Sequence, residues 1–389
     1  MANPTPNKPR KPLALPLMLL GDVLLLAVCI LSFAYFHHVR PQTYENDPSK
    51  LPQAVIPNRD PYATDPAQSS TSGGSTTTLT TTATDPVSGG EGTTTTVSDV
   101  TTTTLSGGET TVTGSSSTSA STTTTTTAKP LEPDLSGWGS KWPDVFSWDD
   151  SVVITENSYR SHDVAINIET RQVGKSVAYI ADVYVRYIDN FKSAFAQGEY
   201  GKNIIERPEK TAAANNAILA VNGDYYGIRD NGIIVRNYVM YRDTPRADIC
   251  SVFYDGTVQV SEHADFDLNA ALQNGLYQTM TFGPLLVKDY TAKTQFTPGI
   301  LGENPRTGFG YYEPGHYVFV TVDGRQEGYS IGMTMYEFTD LFMELGCRNA
   351  YNLDGGQSAM MIFNGEVYNK PYNGGRGTSD IFYIGEVQP

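Results

Sequence analysis

An α+β fold, a mixed β-sheet with packed helices, is predicted for residues 135–389, preceded by one transmembrane helix and a disordered stalk. Three observations lead to it. An apolar run long enough to span a bilayer opens the chain, and a Thr/Ser/Gly tract without basic residues follows. The remainder alternates apolar and polar residues, with few helical stretches.

The apolar run is residues 13–36, LALPLMLLGDVLLLAVCILSFAYF. At about 1.5 Å per residue, a helix of this length crosses a hydrocarbon core of roughly 30 Å. Asp22 is its one ionisable residue and is expected to reach toward the cytoplasmic interface. Lys8, Arg10 and Lys11 precede the run, whereas Arg40, Glu45, Asp47 and Lys50 follow it. That bias predicts a cytoplasmic tail over 1–12 and a single pass through the cell membrane, with everything after the helix extracytoplasmic. Bulky Tyr35 and Phe36 and two histidines stand where a small-residue cleavage site would be, so the segment reads as an uncleaved signal-anchor. Of three cysteines, Cys29 lies in the span. Cys250 and Cys347 lie in the exported part, where a disulfide is permitted and two separate buried thiols are equally compatible.

Residues 37–134 read as a disordered extracytoplasmic linker. Between Arg59 and Lys129 there is no Lys or Arg, and 68–128 is mostly Thr, Ser and Gly, too poor in large apolar side chains to offset its ordering entropy. The composition fits a plain spacer or an O-glycosylated stalk. The formal net charge is −15, carried mostly by residues 129–389, which argues against a nucleic-acid partner.

In the folded part, 177–187, 218–221, 233–241, 251–254, 317–322, 350–353, 358–363 and 380–384 read as strands. Helices are expected at 266–273 and 334–345, the second with Met335, Phe338, Phe342 and Leu345 on one face and Gly346 as its stop.

Polar, Gly-rich segments at strand ends are the candidate site. Asn222-Gly223-Asp224-Tyr225-Tyr226-Gly227 follows a strand, and alone it reads as a hairpin turn or as a sugar-stacking wall. Asn304-Pro305-Arg306-Thr307-Gly308 reads as a stiffened loop presenting an Arg fork suited to phosphate. Asp323, in Val322-Asp323-Gly324-Arg325, is an acid, a metal ligand or an ordinary turn residue. In Asn352-Leu353-Asp354-Gly355-Gly356-Gln357-Ser358, the Asn and Asp alternate around Leu353, and the paired glycines let backbone N–H groups approach a ligand. Arg376 sits in a last Gly-rich loop, 374–379. His162, His263 and His316 are scattered, and no Cys/His spacing fits zinc.

The ordered blocks NGDYYG, FGPLLV, NPRTGFG, VDGR, GCRNAYNLDGGQS and GGRGTS resemble the phosphodiester glycosidase family over roughly 160–389. Gln357 stands where that family often has a further Gly. The resemblance implies a hydrolase that cuts a sugar-1-phosphodiester, such as an N-acetylglucosamine-1-phospho-sugar, at the anomeric carbon–oxygen bond, leaving a phosphomonoester. It implies a catalytic carboxylate from Asp354 or Asp323, with Arg306 and then Arg376 holding the leaving phosphate. Asn222, Gly223, Asp224, Tyr225, Thr307, Asn352, Gly355, Gly356 and Ser358 would bind substrate. The expected partner is a phosphate-linked carbohydrate of a surface glycan. No cofactor is required, and a Ca²⁺ or Mg²⁺ ion held by Asp and carbonyl oxygens is compatible but not signalled. The rival expectation is a non-catalytic glycan-binding or exopolysaccharide-assembly protein of the cell surface.

Overall fold

The computed structural model describes residues 15–43, 48–58, 60–62 and 134–387. The first helix runs Leu15–Ala34 and continues as a π-helical turn over Tyr35–Val39. Among the described residues no helix is long and apolar enough to cross a membrane; the predicted span begins at Leu13, outside them. Residues 1–12, expected as a cytoplasmic tail, and the Thr-rich tract from 63 to 133 also lie outside the described residues.

The chain divides into two units, Met1–Ala63 with Leu131–Pro389, and Thr64–Pro130. The first holds a nine-stranded sheet. Its order is Thr291–Ala292, Leu285–Lys288, Asn349–Asn352, Arg306–Glu313, His316–Val322, Ser176–Val185, Val164–Val173, Ser158–Arg160 and Val153–Ile154. A five-stranded sheet orders Glu366–Val367, Met361–Phe363, Leu219–Asn222, Asp380–Ile384 and Phe191–Phe195, and a three-stranded one centres on Ile249–Phe253. The sheet-dominated α+β character with few helices is as expected. The mixed strand direction is not: every ladder among the described residues is antiparallel. Neighbours such as 306–313 and 316–322 are joined by tight turns, which permit only antiparallel pairing.

Strand His316–Val322 shows how the core is built. Tyr317 and Phe319 face one apolar cluster, shared with Phe309 of the same sheet and with Phe191 and Phe382 of the five-stranded sheet. Val318, Val320 and Val322 face a second cluster, covered by the helix Met335–Glu344. Both faces are buried, so the strand reads as a continuous apolar run. Thr334 caps that helix in a reciprocal box with Glu337. Gly308 lets it lie close, because a Cβ there would stand 2.9 Å from the rings of Phe338 and Phe342.

Three expectations change, and one open alternative, that of the two cysteines, is decided. The single strand expected at 233–241 is a hairpin, Ile234–Arg236 with Val239–Arg242, because Asn237 and Tyr238 adopt left-handed φ of 50° and 71°. Residues 306–308, expected as loop, open the strand Arg306–Glu313. Cys250 and Cys347 are separate buried thiols. The linker expected from 37 to 134 is also shorter. Gln42–Thr43 pairs with Gly201–Lys202, Leu51 and Ala54 pack on an apolar cluster, and Val55 N–H donates to Leu272 O at 2.9 Å. Tyr62 then sets its ring edge-on to Trp138, 5.1 Å between centroids.

Candidate active site

The segment following strand Asn349–Asn352 carries Asp354 into a buried turn. Its carboxylate accepts from Arg376 Nη2 at 3.0 Å, and Arg376 Nε donates to Ser358 Oγ at 2.6 Å. The Arg376 guanidinium lies over the Tyr225 ring, 4.7 Å from its centroid, and Tyr225 is presented by a left-handed backbone of φ 49°. Burial raises the Asp354 pKa above its ordinary value, while the Ser358 hydroxyl, Arg376 and Arg229 pull it back. Tertiary structure thus brings together Asp354, Ser358, Arg376 and Tyr225 from three separate motif blocks.

Asn222 lies beneath them and is fully committed. It donates to Asp354 O at 2.7 Å and accepts from Thr307 Oγ1 at 2.8 Å and Met360 N–H at 3.2 Å. Asn222 and Thr307, both expected to bind substrate, thus act here as struts under the Asp354 backbone. Asn352 donates to Gly283 O at 2.7 Å, while its buried Oδ1 has no partner among the described residues. Gly356 N–H is spent on Pro305 O at 2.9 Å, which removes it as an anion donor.

Asp224 is also engaged by protein partners. It accepts from Arg236 Nη2 at 3.1 Å and Thr281 N–H at 2.9 Å, and Arg236 bridges to Asp380 at 2.8 Å. All three are buried, and a Cβ on Gly223 would collide with the Asp380 carboxylate. Burial, and then the nearby Asp224 carboxylate, pushes Asp380 up to about 7. Its folded value exceeds the ordinary 3.8, so between about pH 4 and 7 the folded state holds a proton that the unfolded state releases. That contribution to stability is present at low pH and is lost as pH rises through the folded value. Wild-type Tm is therefore expected to fall from pH 5 to pH 8 relative to Asp380→Asn, which cannot titrate. Scanning calorimetry at both pH values checks this, and parallel curves would refute it.

The other two expected catalytic residues are elsewhere. Side-chain alternation along 306–311 puts Thr307 and Phe309 toward Asn222 and the main core but turns Arg306 to the helix face. There Arg306 donates to three carbonyls, Met333 at 3.0 Å, Ile300 at 2.9 Å and Gly302 at 2.7 Å. Burial, helped by nearby Arg325, pushes its pKa down to about 10. Asp323 accepts from Tyr329 Oη at 2.8 Å, Asn369 Nδ2 at 2.7 Å and Lys370 N–H at 2.9 Å, and its backbone O accepts from Ser330 Oγ at 2.6 Å. Both residues are braces of the segment 300–304 and the loop 324–331, not groups facing Asp354.

Sequence reasoning gave no role to two arginines, Arg229 and Arg325. Arg229 donates to Asp224 O at 3.0 Å and lies over Phe282 at 4.8 Å. Burial, and then Arg246, lowers its pKa, while the charges of Asp224 and then Asp354 raise it. Arg325 lies against Gly356, where a Cβ would come 3.2 Å from Nη2. The only signal in the sequence was proximity to the Gly-rich blocks. Among the described residues no group of three or more His, Cys, Asp or Glu could hold a metal ion.

A β-rich domain that raises a buried carboxylate and an arginine at a Gly-rich strand end matches known proteins. Residues 215–385, which contain the whole Asp354 cluster, match the family model described as phosphodiester glycosidase. The SPbeta prophage-derived uncharacterized protein YomE of Bacillus subtilis (strain 168) is 32% identical over 175 residues, 42% of this chain and 27% of that protein. The chain thus spans about a quarter of that relative's length. Among solved structures, the zebrafish N-acetylglucosamine-1-phosphodiester alpha-N-acetylglucosaminidase catalytic domain, auto-inhibited by its pro-peptide, superposes with a TM-score of 0.47. It shares 22% identity, over 58% of this chain and 83% of that one. A hypothetical protein from Synechocystis gives a TM-score of 0.39 at 12% identity, over 58% of this chain and 62% of that one.

Proposed function

We propose that the domain hydrolyses a sugar-1-phosphodiester at the anomeric carbon–oxygen bond, with Asp354 as general base. The observation that carries the reading is Asp354 itself: a buried carboxylate of raised proton affinity, hydrogen-bonded to Arg376 in a family-matched turn. A water proton passes to Asp354 and the water oxygen bonds to the anomeric carbon. The anomeric C–O bond breaks, and its electron pair leaves on the phosphate, giving free sugar and a phosphomonoester. Phosphate is a good leaving group, so cations matter more than a strong acid. Arg376 and Arg229 would stabilise it, Tyr225 would bear on a sugar face, and Asn352 Oδ1 would accept a hydroxyl.

The substrate class is an N-acetylglucosamine-1-phospho-sugar or similar linkage in a surface glycan. The apolar run from Leu13 to Phe36 and the basic residues before it support a single-pass anchor with the domain outside the cytoplasm. Incubating the full chain with a synthetic N-acetylglucosamine-1-phosphodiester in ¹⁸O-water tests the chemistry. Label in the released sugar supports anomeric cleavage, whereas label in the phosphate or no release overturns it.

The raised Asp354 pKa has a direct consequence. If the base must be ionised, the acid limb of kcat/KM lies above the ordinary carboxylate range. Arg376→Gln removes a cation that lowers this pKa, so the limb should move to higher pH as activity falls. An unmoved limb would remove Asp354 from the role of base.

A further inference from the structure

We infer that the open cleft beside the paired-glycine turn is the subsite for the leaving half of the substrate, a sugar phosphomonoester, with Arg325 as its anion-binding residue. This rests on the diester reading above and adds where the second half of the diester goes.

The cleft, of about 870 Å³, is lined among others by Gln172, Lys175, Glu303, Arg325, Gln326 and Tyr329. Its volume lies within the roughly 300–1,000 Å³ usual for ligand sites. It adjoins the Asp354 turn through one residue. Arg325 packs its Nη1 and Nη2 edge on Gly356, which takes φ 63° and leaves no Cβ in the way. Nε and Nη2 each donate to Asn304 Oδ1, at 3.1 and 2.8 Å, and the guanidinium lies over Tyr372 at 5.6 Å. Arg376 on Tyr225 and Arg325 on Tyr372 therefore flank the same turn. A diester bound over that turn would meet one guanidinium on each side.

The wall of the cleft is built with more fixation than a surface loop needs. Arg325 N–H donates to Ile331 O at 3.1 Å, and Ile331 N–H to Lys175 O at 3.2 Å, which ties both cations of the cleft to one residue. Asp323 pins Tyr329, Asn369 and Lys370 N–H, while Arg306 holds the carbonyls of 300 and 302, two residues from the Asn304 that orients Arg325. Asp323 and Arg306 are thus positioning residues for Arg325. The lining fixes the ligand class. Two cations are balanced by Glu303 and Glu327, which disfavours a polyanion, while glutamines, carboxylates and a tyrosine offer the hydrogen bonds a sugar needs.

Calorimetric titration of the full chain with glucose 6-phosphate, glucose and inorganic phosphate tests the subsite without requiring catalysis. Glucose 6-phosphate is expected to bind at least tenfold tighter than either other probe. Arg325→Ala and, separately, Lys175→Ala should weaken it about tenfold and threefold, with Tm recorded to exclude unfolding. No saturable binding, equal binding of phosphate alone, or binding that both variants leave unchanged would overturn the inference. Diester hydrolysis without glucose 6-phosphate binding sinks the subsite alone. Binding without hydrolysis supports the subsite and sinks the reaction.

Discussion

Replacing Asp354 by Asn is expected to lower kcat by about 10²- to 10⁴-fold, the usual share of a positioned acid–base group. Tm should stay within a few degrees of wild type. The substitution keeps the shape of the side chain and exchanges a carboxylate oxygen for an amide. It abolishes the proton acceptor and leaves Arg376 without its anion at 3.0 Å. The supporting struts are untouched, because Asn222 and Gly223 hold the backbone of residue 354 and not its carboxylate. Burial already disfavours the ionised form of Asp354, so neutralising it costs little stability. Single-turnover kinetics on a synthetic sugar-1-phosphodiester, beside a thermal melt, separate the two effects. Full turnover in the variant would remove Asp354 from the chemistry.

The second large effect is expected from Asn222→Ala, and it should appear in stability. The amide satisfies three buried partners: Thr307 Oγ1–H, Met360 N–H and Asp354 C=O. Truncation leaves all three unpaired at about 1–3 kcal/mol each, so a loss on the order of 3–5 kcal/mol is expected. For a domain of this size that corresponds to a fall in Tm on the order of 10 °C. A residue that contacts sugar would behave in the opposite way, with KM raised and Tm preserved. Chemical denaturation and Michaelis kinetics on the same preparation distinguish them.

Much of the site was legible because turn chemistry is local. The block around Asn352 and Asp354 was recognisable from Asp, paired glycines and Ser at a strand end, and Arg376 from its own Gly-rich loop. The helix 335–344 was legible for the same reason, since its cap at Thr334 and Glu337 and its apolar stripe lie within twelve residues. Arg306 was not. Its role depends on which face of a strand it occupies, and strand parity is invisible until the strand is placed in its sheet. Asp323 offered the same ambiguity, because its partners Asn369 and Lys370 lie more than forty residues away.

The sequence by itself determined the resemblance of one segment to a family and the sheet-rich class, and it singled out Asp354 and Arg376 as candidates, all from short contiguous blocks. Tertiary structure alone decided that Arg325 faces the paired-glycine turn and that Asp323 and Arg306 brace it. It also decided that Gln42–Thr43, Leu51, Ala54 and Tyr62, expected as part of a disordered linker, pair or pack with the folded domain. The physical reason is the same in each case. Composition and periodicity report what a segment can do locally, whereas contacts between residues tens to hundreds of positions apart exist only once the sheets have closed around them.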